Sequence, residues 1–211
     1  VSKYRFSSNH VGLLTDRRAT RRNVLDSLRS LVARSSKGDL LVFYFAGHGS
    51  LRNNSLAAGR SVDQTLVMAD ALSGAEDIRD KELARALVPA AQRGVLVTVI
   101  IDACNSGSIT RGIPSPNRQR SASYDERDSR DSYSGPFLAD LGGVVLSASD
   151  ATRPSFETFD MGTGRSAFTV AFMNALQSHD ARTSVARIFS ATRAEIQNRF
   201  PEQEPTLDAS A

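Results

Sequence analysis

Residues 95–107, VLVTVIIDACNSG, decide how this chain is read. They open with β-branched and aliphatic side chains, the pattern of a strand buried on both faces. They close in a turn of small polar residues that carries Cys104, the one cysteine of the sequence. Residues 40–50, LLVFYFAGHGS, repeat the design, with His48 in the closing turn. In an open parallel sheet, ligands bind beyond the carboxyl ends of the strands. Two such strands side by side put a thiol and an imidazole on one rim, the arrangement a thiolate nucleophile and its base require.

Outward from these two strands, the pattern alternates. Residues 11–16, VGLLTD, read as a short strand. Thr20 then caps a helix whose Val24, Leu25, Leu28, Leu31 and Val32 recur at helical spacing. Arg17, Arg18, Arg21 and Arg22 stand at its start, the end that disfavours cations, and read as a solvated face. Residues 51–63 are polar and read as a loop over the rim, and residues 65–69 as a short strand. Residues 80–87 form a helix with Leu83, Ala84 and Leu87 inward, and Pro89 and Gly94 mark the stretch between it and the central strand. Residues 143–148 are another buried strand, ending at Ser149-Asp150. Residues 156–164 read as a hairpin or loop. Residues 166–176 are a helix with Phe168, Ala171, Phe172 and Leu176 inward. A last helix begins at Thr183 or Ser184, with Val185, Ile188, Phe189, Thr192 and Ile196 on one face, and Pro201 ends it. Strands alternating with helices predict a mainly parallel α/β sheet flanked by helices.

One stretch breaks this pattern. Residues 109–135 are rich in Ser, Arg, Asp and Pro and nearly empty of large aliphatics. So long a structureless segment inside a compact domain is usually functional or disordered. Arg111, Arg118, Arg120, Arg127 and Arg130 are scattered along it.

Composition narrows the class. A chain of 211 residues is one large domain or two small ones and can bury a core without staples. A single cysteine excludes an internal disulfide framework and points to a reducing, cytoplasmic compartment. No apolar run reaches membrane-spanning length, so no membrane partner is expected. The net charge of +3 is carried mostly by arginine, but no aromatic–basic interleaving supports a nucleic-acid surface. His10, His48, His179 and Cys104 lack metal-ligand spacing, so no metal centre is expected.

Three strand ends thus offer His48, Cys104 and Asp150 to one rim. Asp102 joins them, because residues two apart on a strand share a face. A thiol beside an imidazole loses its proton more easily and attacks carbonyls. The backbone N–H groups of Gly49 and Cys104 can hold the developing oxyanion. Asp102 and Asp150 can bind a cationic substrate side chain.

Gly47-His48-Gly49 after one apolar strand and Asp102-Ala103-Cys104-Asn105-Ser106-Gly107 after another resemble the caspase-like cysteine peptidases. The histidine lies about 50 residues upstream of the cysteine, as in caspases. The Asp-x-Cys-x-Ser-Gly form is similar to the metacaspase and orthocaspase branch. The likeness runs from about Val11 to Leu207 and includes Leu13-Leu14-Thr15-Asp16 and the helix start near Gly164. It implies a three-layer α/β/α fold over a single domain of residues 1–211. Residues 1–108 are then the large-subunit-like part, 109–135 a cleavable linker and 136–211 the small-subunit-like part.

The resemblance also implies a cysteine endopeptidase with Cys104 as nucleophile and His48 as general base and acid. It implies cleavage of protein or peptide substrates after Arg or Lys, with Asp102 and Asp150 in the specificity pocket. Self-processing of a zymogen at Arg111, Arg118, Arg120, Arg127 or Arg130 follows. The family's opening strand and helix have no counterpart before Leu13, so a segment missing from this chain, or a separate one, is expected to complete the sheet. Many metacaspases need calcium. Asp80 matches one ligand position, but Lys81 and Arg111 stand where aspartates are usual, so calcium independence is expected. Ala46 replaces a serine common before the Gly-His pair. A monomer is expected. The competing readings are a catalytically silent caspase-like binding module and another Cys-His hydrolase of related fold, such as a separase-like peptidase.

Overall fold

A computed structural model describes residues 4, 6–53, 62–103, 135–149, 153–158 and 164–209. The elements in chain order are α1 (Arg21–Arg34), β1 (Leu40–Ala46), β2 (Gly49–Asn53), β3 (Val62–Leu66), β4 (Ile78–Arg79), α2 (Asp80–Gln92), β5 (Leu96–Asp102), β6 (Val144–Ser147), β7 (Glu157–Thr158), β8 (Arg165–Ser166), α3 (Ala167–Ser178), α4 (Val185–Arg199) and β9 (Thr206–Ala209). The central sheet runs β1-β5-β6-β9. Its first three strands are parallel and β9 is antiparallel, so the sheet is mainly parallel as expected.

Alternation along the strands sorts the side chains onto two faces. Val97, Val99 and Ile101 of β5 join Leu41, Phe43 and Phe45 of β1 in a core covered by α1 and α2. Ile100, Val144 and Leu146 point the other way, into a core with Phe168 and Ala171 of α3 and Phe189 and Ile196 of α4. Two helical layers therefore sandwich one sheet, which is the three-layer α/β/α architecture.

Local signals set the helix starts. Thr20, Ser166 and Ser184 each accept a bond from a backbone N–H three residues on, satisfying a donor the first turn cannot. Gly94, in the left-handed region at φ 84°, reverses the chain between α2 and β5. Pro89 is different. It stands inside α2 instead of ending it, because Leu87, Val88, Ala90 and Ala91 around it are buried. That burial outweighs the hydrogen bond a proline forfeits. Val185, expected on the inner face of α4, is exposed, and that helix packs through Ile188, Phe189, Thr192 and Ile196.

Two sequence expectations are corrected. Residues 11–16 form no strand; Leu13 is 71% exposed and the chain turns into a 3-10 segment at Asp16–Arg18. A strand needs a neighbour to satisfy its backbone, and among the described residues none pairs with this stretch. Residues 51–63 are not wholly loop. Residues 49–53 and 62–66 are antiparallel strands that, with β4, form a second, three-stranded sheet.

Candidate active site

The parallel register of β1 and β5 ends with Ala46 opposite Asp102. One step on, the Gly47 N–H donates to the Asp102 carbonyl at 3.2 Å. β6 continues the series, with the Ala148 N–H donating to the Ile101 carbonyl at 2.8 Å. The three strand ends therefore adjoin in the order 46, 102, 148. His48 lies two residues past Ala46 and Cys104 two residues past Asp102. His48 is exposed in its turn. Cys104 and Asp150 lie outside the described residues, as do Arg111, Arg118, Arg120, Arg127 and Arg130.

The backbone around His48 is organised by the second sheet. The Val67 N–H donates to the His48 carbonyl at 3.0 Å, and Gly49 sits opposite Leu66. In an antiparallel ladder, bonded and non-bonded pairs alternate. His48 and Val67 are in the bonded register, so Gly49 and Leu66 form the non-bonded pair. The Gly49 N–H therefore points away from β3. Neither glycine beside His48 has a positive φ, so neither is required there by an unusual backbone angle. Gly47 is needed for space: a Cβ there would lie 2.7 Å from Cζ of the Phe45 ring.

Asp102 is fully buried at the end of β5, on the face that looks towards α3. Its Oδ2 accepts from the Thr169 hydroxyl in the first turn of α3. The Tyr44 hydroxyl, from β1, lies 2.6 Å from the same Thr169 oxygen. Sequence reading missed both partners. Tyr44 hid in an apolar run, and Thr169 hid between the inward Phe168 and Ala171. The one available signal was parity, since Tyr44 and Ala46 share a face of β1 and Ala46 is paired with Asp102.

A second polar cluster lies behind β2 and β3. Asp63 is paired by Arg79 Nη1 at 2.7 Å and by Lys81 Nζ at 2.5 Å. Asp77 accepts from Arg52 Nε at 3.2 Å and from Thr65 at 3.0 Å. Arg21, expected on a solvated face, instead forms an ion pair with Glu82 and donates its backbone N–H to Asp70. These ties join α1, the small sheet and α2. Among the described residues no group of three or more His, Cys, Asp or Glu is placed to hold a metal ion. Lys81 sets its own positive charge against the Asp63 carboxylate.

The family described as "Caspase domain" matches residues 3–211. Metacaspase-1 of Arabidopsis thaliana is 30% identical over 210 residues, covering 94% of this chain and 56% of that protein. Metacaspase-5 of Trypanosoma brucei brucei is 27% identical, covering 90% of this chain and 39% of that protein. The chain thus spans about half, or less, of the length of these relatives. A crystal structure of a Geobacter sulfurreducens protein superimposes with a TM-score of 0.65 at 20% identity, covering 95% of this chain and 77% of that one. Caspase-1 of Spodoptera frugiperda gives 0.57 at 16%, covering 89% and 68%. At such identities the two structures speak to the fold alone.

Proposed function

Because the chain belongs to the caspase-domain family, with metacaspases among its relatives, we propose that it is a cysteine endopeptidase cutting after arginine or lysine. The observation that carries the proposal is the bond from Gly47 N–H to the Asp102 carbonyl, which ties the His48 turn to the chain leading into Cys104.

In this mechanism His48 takes the Cys104 proton and the thiolate attacks the scissile carbonyl carbon. The carbonyl oxygen becomes an oxyanion held by the Gly49 and Cys104 N–H groups. Support for the first donor is the Gly49 N–H turned out of the β2–β3 ladder. The intermediate collapses, His48 returns the proton to the leaving amine, and water then releases the acid and regenerates the thiol. Asp102, with Asp150 as a second carboxylate, pairs with the basic side chain before the cut. Asp102 has no exposed surface, so a substrate cation reaches it only when the atoms over it yield.

Further parts of the proposal follow from the same reading. The chain is a cytoplasmic, monomeric zymogen that cuts itself within residues 109–135, at Arg111, Arg118, Arg120, Arg127 or Arg130. It works without calcium, which the Lys81 and Arg79 charges on Asp63 support. A separate segment completes the sheet beside β1, supported by the exposed Leu40 and Val42 of that end strand and neighbouring Leu96. Exposed apolar side chains on an end strand favour such an addition.

The test is a panel of fluorogenic peptides with Arg, Lys, Asp or Asn before the scissile bond, read with the parent, Cys104→Ala and His48→Ala. Cleavage after Arg and Lys that both variants abolish is the expected result. Cleavage after Asp or Asn overturns the specificity, and cleavage by Cys104→Ala overturns the mechanism. A parent that cuts none of the peptides favours the silent binding module.

A further inference from the structure

We infer that Thr169 and Tyr44 are positioning residues for substrate selection, acting through Asp102. This rests on the reading of Asp102 as the group that binds the basic side chain. The two hydroxyls come from different layers. Tyr44 lies on β1 and Thr169 on α3, and they converge on the end of β5. The Tyr44 hydroxyl is 2.6 Å from Thr169 Oγ1, which in turn donates to Asp102 Oδ2.

The polarity of this chain follows from counting hydrogens. An ionised carboxylate only accepts, and a hydroxyl has one hydrogen to give. Thr169 spends its hydrogen on Asp102, so Tyr44 donates to Thr169. Each donor polarises the next, and the negative charge of Asp102 sits at the end of an aligned pair of O–H dipoles. A buried carboxylate held this way has a fixed rotamer before substrate arrives. Binding a guanidinium then costs less ordering of the protein. Tyr44 gives the arrangement a second property. It is 46% exposed on the end strand, so what happens at that end of the sheet reaches the specificity carboxylate through two hydrogen bonds.

The test compares the parent with Thr169→Val, Thr169→Ser, Tyr44→Phe and Asp102→Asn. Substrates are matched peptides with arginine or citrulline, its uncharged isostere, before the scissile bond. In the parent, arginine is preferred, and Asp102→Asn abolishes the preference. Thr169→Val, equal in shape but without the donor, raises KM for the arginine peptide about tenfold while kcat stays within twofold. Thr169→Ser restores the parent ratio, and Tyr44→Phe raises KM two- to threefold. The arginine-to-citrulline ratio does not depend on how much of a variant is folded, so a purely structural role for Thr169 leaves it unmoved. A parent that prefers arginine, together with a Thr169→Val variant of unchanged ratio, overturns this inference alone. A parent that cuts both peptides alike, or neither, overturns the specificity reading and this inference with it.

Discussion

Replacing Asp63 by alanine tests the polar framework beneath the site. Asp63 is 1% exposed, and its two oxygens are taken by Arg79, itself 2% exposed, and by Lys81, 16% exposed. Lys81 can swing to water when the carboxylate goes, but Arg79 cannot. Its Nη1 keeps only the Asn53 carbonyl at 3.3 Å, and its Nη2 has no partner among the described residues. A buried charge stripped of its counter-ion costs about 3–5 kcal/mol. Lys81→Met leaves the Asp63–Arg79 pair intact and costs about 1 kcal/mol. With a urea dependence of about 2 kcal/mol per molar, Asp63→Ala lowers the unfolding midpoint by about 1.5–2.5 M and Lys81→Met by about 0.5 M. The double variant Asp63→Ala/Arg79→Met removes both ends of the pair and loses less than the two single losses added together. Circular dichroism in a urea series reads the parent and four variants, with Arg79→Met as the second single. An Asp63→Ala midpoint within about 0.5 M of the parent, a loss near 1 kcal/mol, refutes the claim that this carboxylate neutralises a buried guanidinium.

Gly47→Ala drives a Cβ into the Phe45 ring and costs about 1–3 kcal/mol; thermal melts show the loss, and adding Phe45→Leu recovers most of it. A Gly47→Ala chain that melts with the parent contradicts the spatial role given to this glycine. Incubated beside the parent, Cys104→Ala stays whole while the parent is cut within residues 109–135, as mass spectrometry of the fragments shows. Both chains cut alike would remove self-processing. Peptide cleavage is unchanged by a chelator and by added calcium, since Lys81 and Arg79 hold the Asp63 carboxylate. Activity that disappears with chelator and returns with calcium contradicts that.

Much of the fold was legible because its signals are local. The apolar runs at residues 40–45 and 96–101 need no distant partner to be recognised as strands, and Thr20, Ser166 and Ser184 cap helices through bonds three residues long. β1 is not buried on both faces as expected, however, its Leu40, Val42 and Tyr44 being exposed at the end of the sheet. The small sheet was legible only in part: residues 65–69 read as a strand, which the structure places at Val62–Leu66. Arg52 and Asp63 look like loop residues, yet they are buried. Asp77 and Arg79, distant in sequence, supply the charges that make this tolerable. Residues 11–16 failed in the opposite direction. Their pattern is that of a strand, but pattern alone provides no pairing partner.

From residue order alone came the two strand-and-turn units, the residues in their turns and the parallel α/β class. Each depends on side-chain periodicity within a few positions. The tertiary structure decided which strand ends adjoin, that the Gly49 N–H faces away from β3, and that Tyr44 and Thr169 reach Asp102. Those facts depend on register between segments up to 125 residues apart. Hydrogen bonds act over about 3 Å, and only a folded chain brings such distant atoms to that range.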